Sequence, residues 1–170
     1  MKNMKRLFVG VAAVLSLVSA VGCGPKKPDG MPPLYPCVLT FVQGDKPVAD
    51  VLVNLYPEDG SDSRWRAGGT TDTNGKIELR TLAQYKGVPE GTYKVTAYKT
   101  LISDGPEPTE EQIKNGDTNF VATSTRYVDS KFEFPDQTPL RLTVKAGKNA
   151  ETFDLGEAIQ EEEEVPAAGY

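Results

Sequence analysis

Short runs in which apolar and polar residues alternate recur along the chain from residue 37 onward, with turn-forming residues between them. Alternation with a period of two is typical of a strand that buries one face. In the clearest run, Tyr93, Val95 and Ala97 share one face and Tyr98 lies on the other. The pattern predicts seven strands, at residues 37–42, 48–56, 65–71, 76–82, 92–101, 140–145 and 151–155.

The apolar faces of these strands predict the core. Val51, Val53 and Leu55 fall on one face of the second strand, and Ile77 and Leu79 on one face of the fourth. Seven short strands joined by turns rich in glycine and proline are typical of an all-β, antiparallel sandwich.

Two segments interrupt the strand pattern. The tetrapeptide DTNG at residues 72–75 predicts a hairpin turn between the third and fourth strands, because asparagine and glycine tolerate the positive φ of such turns. Residues 104–119 form a longer insertion. Within it, Thr109 and Gln112 fit a helix capping box and residues 115–116 (NG) fit a helix end, so one or two helical turns are expected.

The segments on either side of the strand-rich region differ from it in composition. Residues 24–36 contain five prolines, and residues 23–36 are therefore predicted to be an extended tether. Residues 157–170 contain four consecutive glutamates and no apolar run, which predicts a disordered acidic tail. The folded domain is expected to span residues 37–156.

The first residues have the parts of a secretory signal peptide. Basic residues precede an uncharged apolar run at residues 7–21, which is shorter than the about 20 residues of a membrane-spanning helix. The sequence AVGC at residues 20–23 resembles a bacterial lipobox, with Ala20 where leucine is usual. The resemblance implies removal of residues 1–22 and lipidation of Cys23. The alternative is ordinary cleavage that leaves a soluble periplasmic protein.

The net charge and the cysteine content limit the kinds of partner and of chemistry that are expected. Removal of residues 1–22 takes away three basic residues and no acidic one, which leaves 16 basic against 24 acidic residues and a net charge of −8. This charge argues against nucleic acid as a partner and against electrostatic binding to anionic lipid. With Cys23 used as the anchor, Cys37 has no disulfide partner, and its apolar neighbours predict a buried thiol.

The chain contains no histidine, which excludes imidazole-based triads, bases and metal sites. The DTNG turn resembles part of an EF-hand loop, but the twelfth position is Ala83 rather than glutamate. The acidic residues Glu58, Asp59 and Asp62 share one loop and are interpreted as solvated carboxylates. No catalytic residue, metal or other cofactor is predicted.

Trp65 and Tyr98 are the candidate ligand-binding residues. Trp65 is the only tryptophan and lies between Arg64 and Arg66, so it could stack on a sugar ring or an aromatic ligand. The favoured alternative is that Trp65 covers the edge of the core, as large aromatic side chains commonly do. Tyr98 and Tyr56 lie on outward faces and leave the same two alternatives.

Several motifs occur in a fixed order: GDKPV at residues 44–48, PEDG at 57–60, TDTNGK at 71–76, PEGTYKV at 89–95, Tyr127, TPL at 138–140 and VKAGKN at 144–149. This ordered set resembles the carboxypeptidase-regulatory-like, transthyretin-like domains of small lipoproteins in planctomycete-type bacteria. The resemblance implies a seven-stranded Greek-key sandwich of the prealbumin type that serves as an accessory, binding or structural module. A hydrolytic transthyretin-like branch uses histidines and a Tyr-Arg-Gly-Ser terminus, both of which this chain lacks.

We therefore expect a lipid-anchored module of the cell envelope, exported to the periplasm or the cell surface. Its role would be structural, or it would bind an envelope protein or glycan, without catalysis. The alternative is a weak ligand-binding or hydrolytic protein that uses residues 104–119 as a lid, since long irregular insertions often carry function.

Overall fold

The computed structural model describes residues 26–60, 63–103, 109–115 and 121–166. Within these ranges the chain is mostly β and has no helix of seven or more residues. The strands are β1 (Leu34–Tyr35), β2 (Cys37–Gln43), β3 (Lys46–Pro47), β4 (Leu52–Pro57), β5 (Ala67–Thr70), β6 (Lys76–Glu78), β7 (Arg80–Thr81), β8 (Tyr85–Lys86), β9 (Val88–Pro89), β10 (Gly91–Tyr98), β11 (Thr100–Ser103), β12 (Val121–Arg126), β13 (Arg141–Val144), β14 (Asn149–Asp154) and β15 (Glu161–Pro166).

Helical structure is limited to three short pieces in the described residues: α1 (Glu110–Lys114) and two 3-10 turns, Ser63–Trp65 and Ser130–Phe132. The prediction of one or two helical turns after Thr109 is confirmed by α1. Most of the rest of the predicted insertion, residues 104–108 and 116–119, lies outside the described residues.

The largest sheet has six strands in the order β13–β10–β4–β5–β7–β8, all paired antiparallel. A second sheet is built on β2. In this sheet β14 pairs with one edge of β2, and β3 and β6 pair with the other. The β2–β14 pairing is parallel, which differs from the expected all-antiparallel arrangement. It is possible because β14 follows β13 of the other sheet, so the chain reaches β2 by a crossover rather than by a hairpin.

The inward faces of the two sheets contribute to one hydrophobic cluster. The rings of Phe41 on β2 and Phe153 on β14 pack at a centroid distance of 5.6 Å within it. The predicted inward residues are confirmed as buried: Cys37, Val51, Val53, Leu55, Ile77, Leu79, Tyr93, Val95 and Ala97.

The DTNG segment forms a turn, but the predicted hairpin is wrong. The carboxylate of Asp72 accepts hydrogen bonds from the backbone N–H of Asn74 (2.9 Å) and of Lys76 (2.8 Å). Gly75 has a φ of +69°, and a Cβ there would lie 2.4 Å from the carbonyl oxygen of Phe41. However, β5 pairs with β4 and β7, whereas β6 pairs with β2. The turn therefore carries the chain from one sheet to the other.

Part of the predicted tether packs on the domain, so the prediction of an extended tether is wrong for β1. Leu34 and Tyr35 pair with β9, and the side chain of Tyr35 packs against the core. Further upstream, the hydroxyl of Tyr85 donates to the carbonyl oxygen of Lys26 at 2.9 Å. Apolar surface on Tyr35 and free backbone groups on β9 explain this packing, because proline-rich sequence can still pair through its non-proline residues.

The predicted disordered tail is also corrected: its residues 161–166 form β15, which pairs antiparallel with β12 along its whole length. With β11 on the other side of β12, these strands form a three-stranded sheet, which we call the peripheral sheet. Backbone pairing needs no apolar side chains, and Glu161–Glu164 remain exposed on both faces. Composition alone therefore gave the wrong state for this segment.

Candidate functional site

On the side of the six-stranded sheet that faces away from the core, a row of mostly polar residues crosses β10, β4, β5 and β7. In the strand register, Thr96 lies opposite Asn54, Asn54 opposite Gly68, and Gly68 opposite Arg80. Directly paired residues of an antiparallel sheet point to the same side. Because the neighbouring pair Leu55 and Ala67 is buried in the core, this row lies on the other side of the sheet. Thr96 is covered there at 1% exposure, and the three residues of the row on β4, β5 and β7 are half-buried.

A groove of about 410 Å³ lies over this row. We call it the arginine groove and define it by its lining residues, Asn54, Arg66, Ala67, Gly68, Gly69, Arg80, Leu82 and Ala83. The lining comes from β4, β5 and the residue before it, β7 and the turn that follows β7, and none of the described lining residues is acidic.

Gly68 forms the floor of the arginine groove because it has no side chain. A Cβ at this position would lie 2.4 Å from the carbonyl oxygen of Val53 and 3.1 Å from Oδ1 of Asn54. The close approach of β4 and β5 therefore requires glycine, and the absence of a side chain opposite Arg80 leaves open space above the sheet.

Two guanidinium groups line the groove without a carboxylate partner among the described residues. Arg80 lies opposite Gly68, and Arg66 immediately precedes β5, two residues before Gly68. The register, extended by one residue, places the two arginines diagonally across from each other. Arg80 makes one long hydrogen bond, from Nη1 to the carbonyl oxygen of Gln84 at 3.4 Å.

Other basic residues on this face are neutralised. Arg141 Nε lies 2.7 Å from Glu58 Oε1, and Lys94 Nζ lies 3.8 Å from Asp136 Oδ1. The arginine groove therefore differs from its surroundings in having positive charge that no carboxylate of the described chain offsets.

One wall of the groove is a turn with unusual backbone geometry. Leu82 and Ala83 both have a positive φ, of 52° and 59°. Non-glycine residues pay on the order of 1–3 kcal/mol for such conformations. Hydrogen bonds hold the turn in place: Leu82 N–H donates to the Arg66 carbonyl at 2.8 Å, and the buried hydroxyl of Thr81 donates to the Gly87 carbonyl at 2.8 Å.

The two predicted ligand-binding aromatics do not come together. Tyr98 faces outward with 37% exposure and pairs with Leu52 at the start of β4. Trp65 is half-buried in the 3-10 turn before β5, near the opposite end of β4, with the guanidinium of Arg64 5.7 Å from its ring centroid. Neither residue lines the arginine groove. Tyr56, with 40% exposure, follows Asn54 by two residues on β4, so the two side chains lie on the same face of the sheet.

A smaller hollow of about 260 Å³ lies on the peripheral sheet and is lined by Ser124, Arg126, Glu161, Glu162 and Glu163. Arg126 connects this sheet to the rest of the domain. Its Nη1 donates to Glu161 Oε2 at 3.0 Å, and its Nε lies 3.0 Å from the buried Oε1 of Glu133. The positive charge of this hollow is therefore shared by two carboxylates.

No family model, curated protein or solved structure matches this chain. The arginine groove and the fold must therefore carry the functional argument. Among the described residues, no three His, Cys, Asp or Glu side chains are grouped so that they could hold a metal ion. Within the same ranges, no helix has the length and hydrophobicity needed to cross a bilayer.

The structure describes one of the two cysteines, so only one of the two cysteine predictions can be compared with it. Cys23, the predicted lipidation site, lies outside the described residues, and its lipidation stays a prediction. Cys37 is buried as predicted, and burial, reinforced by the negative charge of Glu151, raises the pKa of its thiol to about 11. A neutral, buried thiol is a packing residue rather than a nucleophile.

Sequence reasoning did not identify the arginine groove. Arg66 was noted only as a neighbour of Trp65, and Arg80 only as an outward residue of the fourth strand. The sequence predicts on which face of the sheet each arginine lies. It does not predict the strand pairing that brings Gly68 opposite Arg80. The one usable signal was the glycine pair at residues 68–69 inside a predicted strand, which marks a close backbone approach.

Proposed function

We propose that this chain is a lipid-anchored, non-catalytic binding module of the bacterial cell envelope. In this proposal residues 1–22 are removed, Cys23 is lipidated, and the domain faces the periplasm or the cell surface. The domain is proposed to be a seven-stranded Greek-key sandwich of the transthyretin-like, carboxypeptidase-regulatory-like type. Each of the seven predicted strands overlaps an observed strand, although the fourth is divided between β6 and β7 and the fifth between β10 and β11, which lie in different sheets. The hydrophobic cluster shared by two sheets supports the proposal.

The observation that carries the binding role is the arginine groove. Half-buried Arg80 and exposed Arg66 line one groove and have no carboxylate partner among the described residues, whereas other basic residues of this sheet face are paired. Their guanidinium groups are therefore available to an anionic ligand. The groove would bind an envelope protein or glycan that carries negative charge. Nucleic acid is not proposed, because the net charge of −8 opposes a polyanion of high charge density.

Lipid attachment would supply the membrane association. Each acyl CH₂ that is buried contributes about 0.8 kcal/mol, so several acyl chains hold a polar domain at a bilayer. Because Lys26 already contacts the domain through Tyr85, the free segment after Cys23 is short and the domain lies close to the membrane in this proposal.

Metabolic labelling with a palmitate analogue tests the anchor. The wild-type chain should incorporate the label and sediment with membranes until detergent is added. The Cys23→Ser variant should incorporate none. A mature wild-type chain whose mass shows an unmodified Cys23 would contradict the anchor and leave a soluble periplasmic domain.

Capture of envelope material tests the binding role. The full-length mature chain, purified in detergent, should retain an envelope component that Arg80→Gln releases and that the exposed-turn variant Lys148→Gln retains. Trp65→Ala and Tyr98→Ala, made in parallel, report whether the two aromatics extend the site. Equal retention by wild type, Arg80→Gln and Lys148→Gln would contradict a role for the groove and favour a structural module.

The alternative of a weak ligand-binding or hydrolytic protein draws support from the hollow on the peripheral sheet. Glu161 and Glu163 lie on the same side of β15, but both are exposed, and Glu161 is paired with Arg126. A hydrolytic acid needs a carboxyl whose surroundings favour the protonated form, which a neighbouring guanidinium opposes. Hydrolysis of a glycoside that is abolished by Glu163→Gln would favour the alternative.

A further inference from the structure

We infer that the arginine groove binds the carboxylate of an acidic saccharide, a sugar ring that carries one negative charge. This inference rests on the proposed binding role and adds the chemical class of the ligand. Four features of the groove lead to it: its charge, its position in the sheet, its mixed lining and its rigidity.

The charge of the groove selects an oxyanion. Arg66 and Arg80 are its only charged lining residues, and neither is paired with a carboxylate of the described chain. A guanidinium presents a planar fork of N–H donors that matches a carboxylate or a phosphate with two parallel hydrogen bonds. Two such forks on diagonal positions can hold one oxyanion from both sides, with the Gly68 gap between them.

The position of the groove selects a compact ligand rather than a peptide strand. The groove lies over β4, β5 and β7, which are inner strands of the six-stranded sheet, with partners on both sides. A peptide that adds a strand needs a free sheet edge with unpaired backbone groups. The volume of about 410 Å³ falls in the range of about 300–1,000 Å³ that is usual for small-ligand sites.

The mixed lining favours a sugar ring over free phosphate. Asn54 offers an amide that can both donate to and accept from hydroxyl groups, while Leu82 and Ala83 provide apolar contact on one wall. Exposed Tyr56, on the same face, adds an aromatic ring with a polar end beside the groove. A sugar acid presents hydroxyls, a C–H face and a carboxylate together, whereas inorganic phosphate has no apolar face to pack on the wall formed by Leu82 and Ala83.

The groove is also held rigid before any ligand binds. The wall formed by Leu82 and Ala83 is fixed in a left-handed conformation by the bond from Leu82 to Arg66 and by the buried hydroxyl of Thr81. Preorganised sites lose less conformational entropy on binding. Strained backbone is more often retained at binding sites than elsewhere, which agrees with a ligand at this wall.

Isothermal titration of the mature full-length chain in detergent tests the inference. The probes are trigalacturonate, its fully methyl-esterified form and inorganic phosphate. We expect trigalacturonate to bind, with an affinity that falls as salt is raised, and its methyl ester to bind at least about tenfold more weakly, because the ester keeps the ring and removes the charge. Phosphate should bind at least about tenfold more weakly than trigalacturonate as well, because it gains no apolar contact with the wall formed by Leu82 and Ala83.

Matched variants assign the binding to the groove. The double variant Arg66→Gln, Arg80→Gln should weaken trigalacturonate about ten- to hundredfold, as expected for loss of charge-assisted hydrogen bonds. The double variant Lys145→Gln, Lys148→Gln removes the same charge from the exposed turn between β13 and β14 and should bind as the wild type does. Unchanged circular dichroism and thermal unfolding check that each variant is folded.

Four outcomes would overturn the inference: equal binding of the acid and its ester, phosphate binding as tight as that of the sugar acid, equal losses in the two double variants, or no binding of trigalacturonate at millimolar concentration. The envelope-capture experiment separates this failure from failure of the proposed function. Capture that depends on Arg80 but is not displaced by trigalacturonate would leave the binding role standing with a different anionic partner.

Discussion

The peripheral sheet and the six-stranded sheet use the same backbone pairing but bury very different amounts of side chain. In β10, Tyr93, Val95 and Ala97 are 6%, 0% and 0% exposed. In the adjoining β11 all four residues are exposed, and Ile102 reaches 69%. Pairing alone gives little net stability, because it replaces hydrogen bonds to water, whereas burial of apolar surface adds about 25 cal/mol per Å². The peripheral sheet is therefore expected to open locally while the core stays folded.

The strongest test of this difference is Phe41→Ala. Phe41 is fully buried and packs against Phe153, so its truncation should lower the free energy of unfolding by about 3–5 kcal/mol in urea denaturation. Phe134→Ala is the matched control, since that ring is 54% exposed, and it should change stability by no more than about 0.5 kcal/mol. Similar losses at the two positions would show that the shared cluster does not dominate stability.

Alkaline pH should act on the core through Cys37. Burial raises the pKa of its thiol from 9.0 to about 11, so the folded state favours the neutral form. This contribution is fully present below pH 9 and is lost as pH rises to about 11, a change on the order of 2–3 kcal/mol. Burial also raises the pKa of Tyr93 from 10.0 to about 12, so the contribution of Tyr93 is lost at higher pH, between about 10 and 12.

Cys37→Val isolates the cysteine contribution, because valine keeps an apolar side chain that does not titrate. Between pH 8 and pH 11 the unfolding free energy of the wild type should fall by on the order of 2–3 kcal/mol more than that of Cys37→Val. A parallel pH dependence in both would assign the effect to Tyr93 and to other groups. The native thiol should also resist a thiol-reactive chromogen at neutral pH, where wild-type Cys37 reacts only after unfolding.

A local effect is expected from Arg126→Met, which cuts the connection between the peripheral sheet and the domain. The substitution leaves the buried Oε1 of Glu133 without its cation and releases Glu161 of β15. We expect a loss of about 1–2 kcal/mol, seen as faster hydrogen exchange of β12 and β15 amides. Glu161→Gln keeps the pair with Glu133 and should cost less than about 1 kcal/mol. Faster exchange in β10 as well would show that the two sheets unfold together.

The contrast also explains which parts of the fold were readable from the sequence. Every predicted strand has one buried face, so alternation marks it, as in β10 and β14. The peripheral strands β12 (VATSTR) and β15 (EEEEVP) have no such alternation, because neither face of their sheet is fully covered. Side-chain pattern records burial, and a strand that is held mainly by backbone pairing leaves no period to detect.

The arginine groove was hidden for a different reason. The outward direction of Arg80 follows from the period of two, but its neighbours depend on which strands pair. At the DTNG turn the chain passes into the sheet built on β2, where β6 pairs with β2. It returns to the six-stranded sheet at β7, which pairs with β5. Leucine and alanine at positions 82 and 83 also carry no sign of a positive φ, because that conformation is imposed by Thr81 and Arg66 hydrogen bonds.

The smallest expected effect comes from replacing valine by threonine, once in the peripheral sheet and once in the six-stranded sheet. Val121→Thr in β12 replaces a methyl group by a hydroxyl at a position that is 44% exposed, where water can solvate it, so stability should change by no more than about 0.5 kcal/mol. Val95→Thr makes the same exchange at a position with no exposure and should cost about 1–3 kcal/mol, because the hydroxyl must be buried. Denaturation of the two variants at one pH gives the ratio directly. A loss at Val121 that equals the loss at Val95 would mean that the peripheral sheet is covered in solution, and an interface on Ile102 and Val121 would then have to be sought.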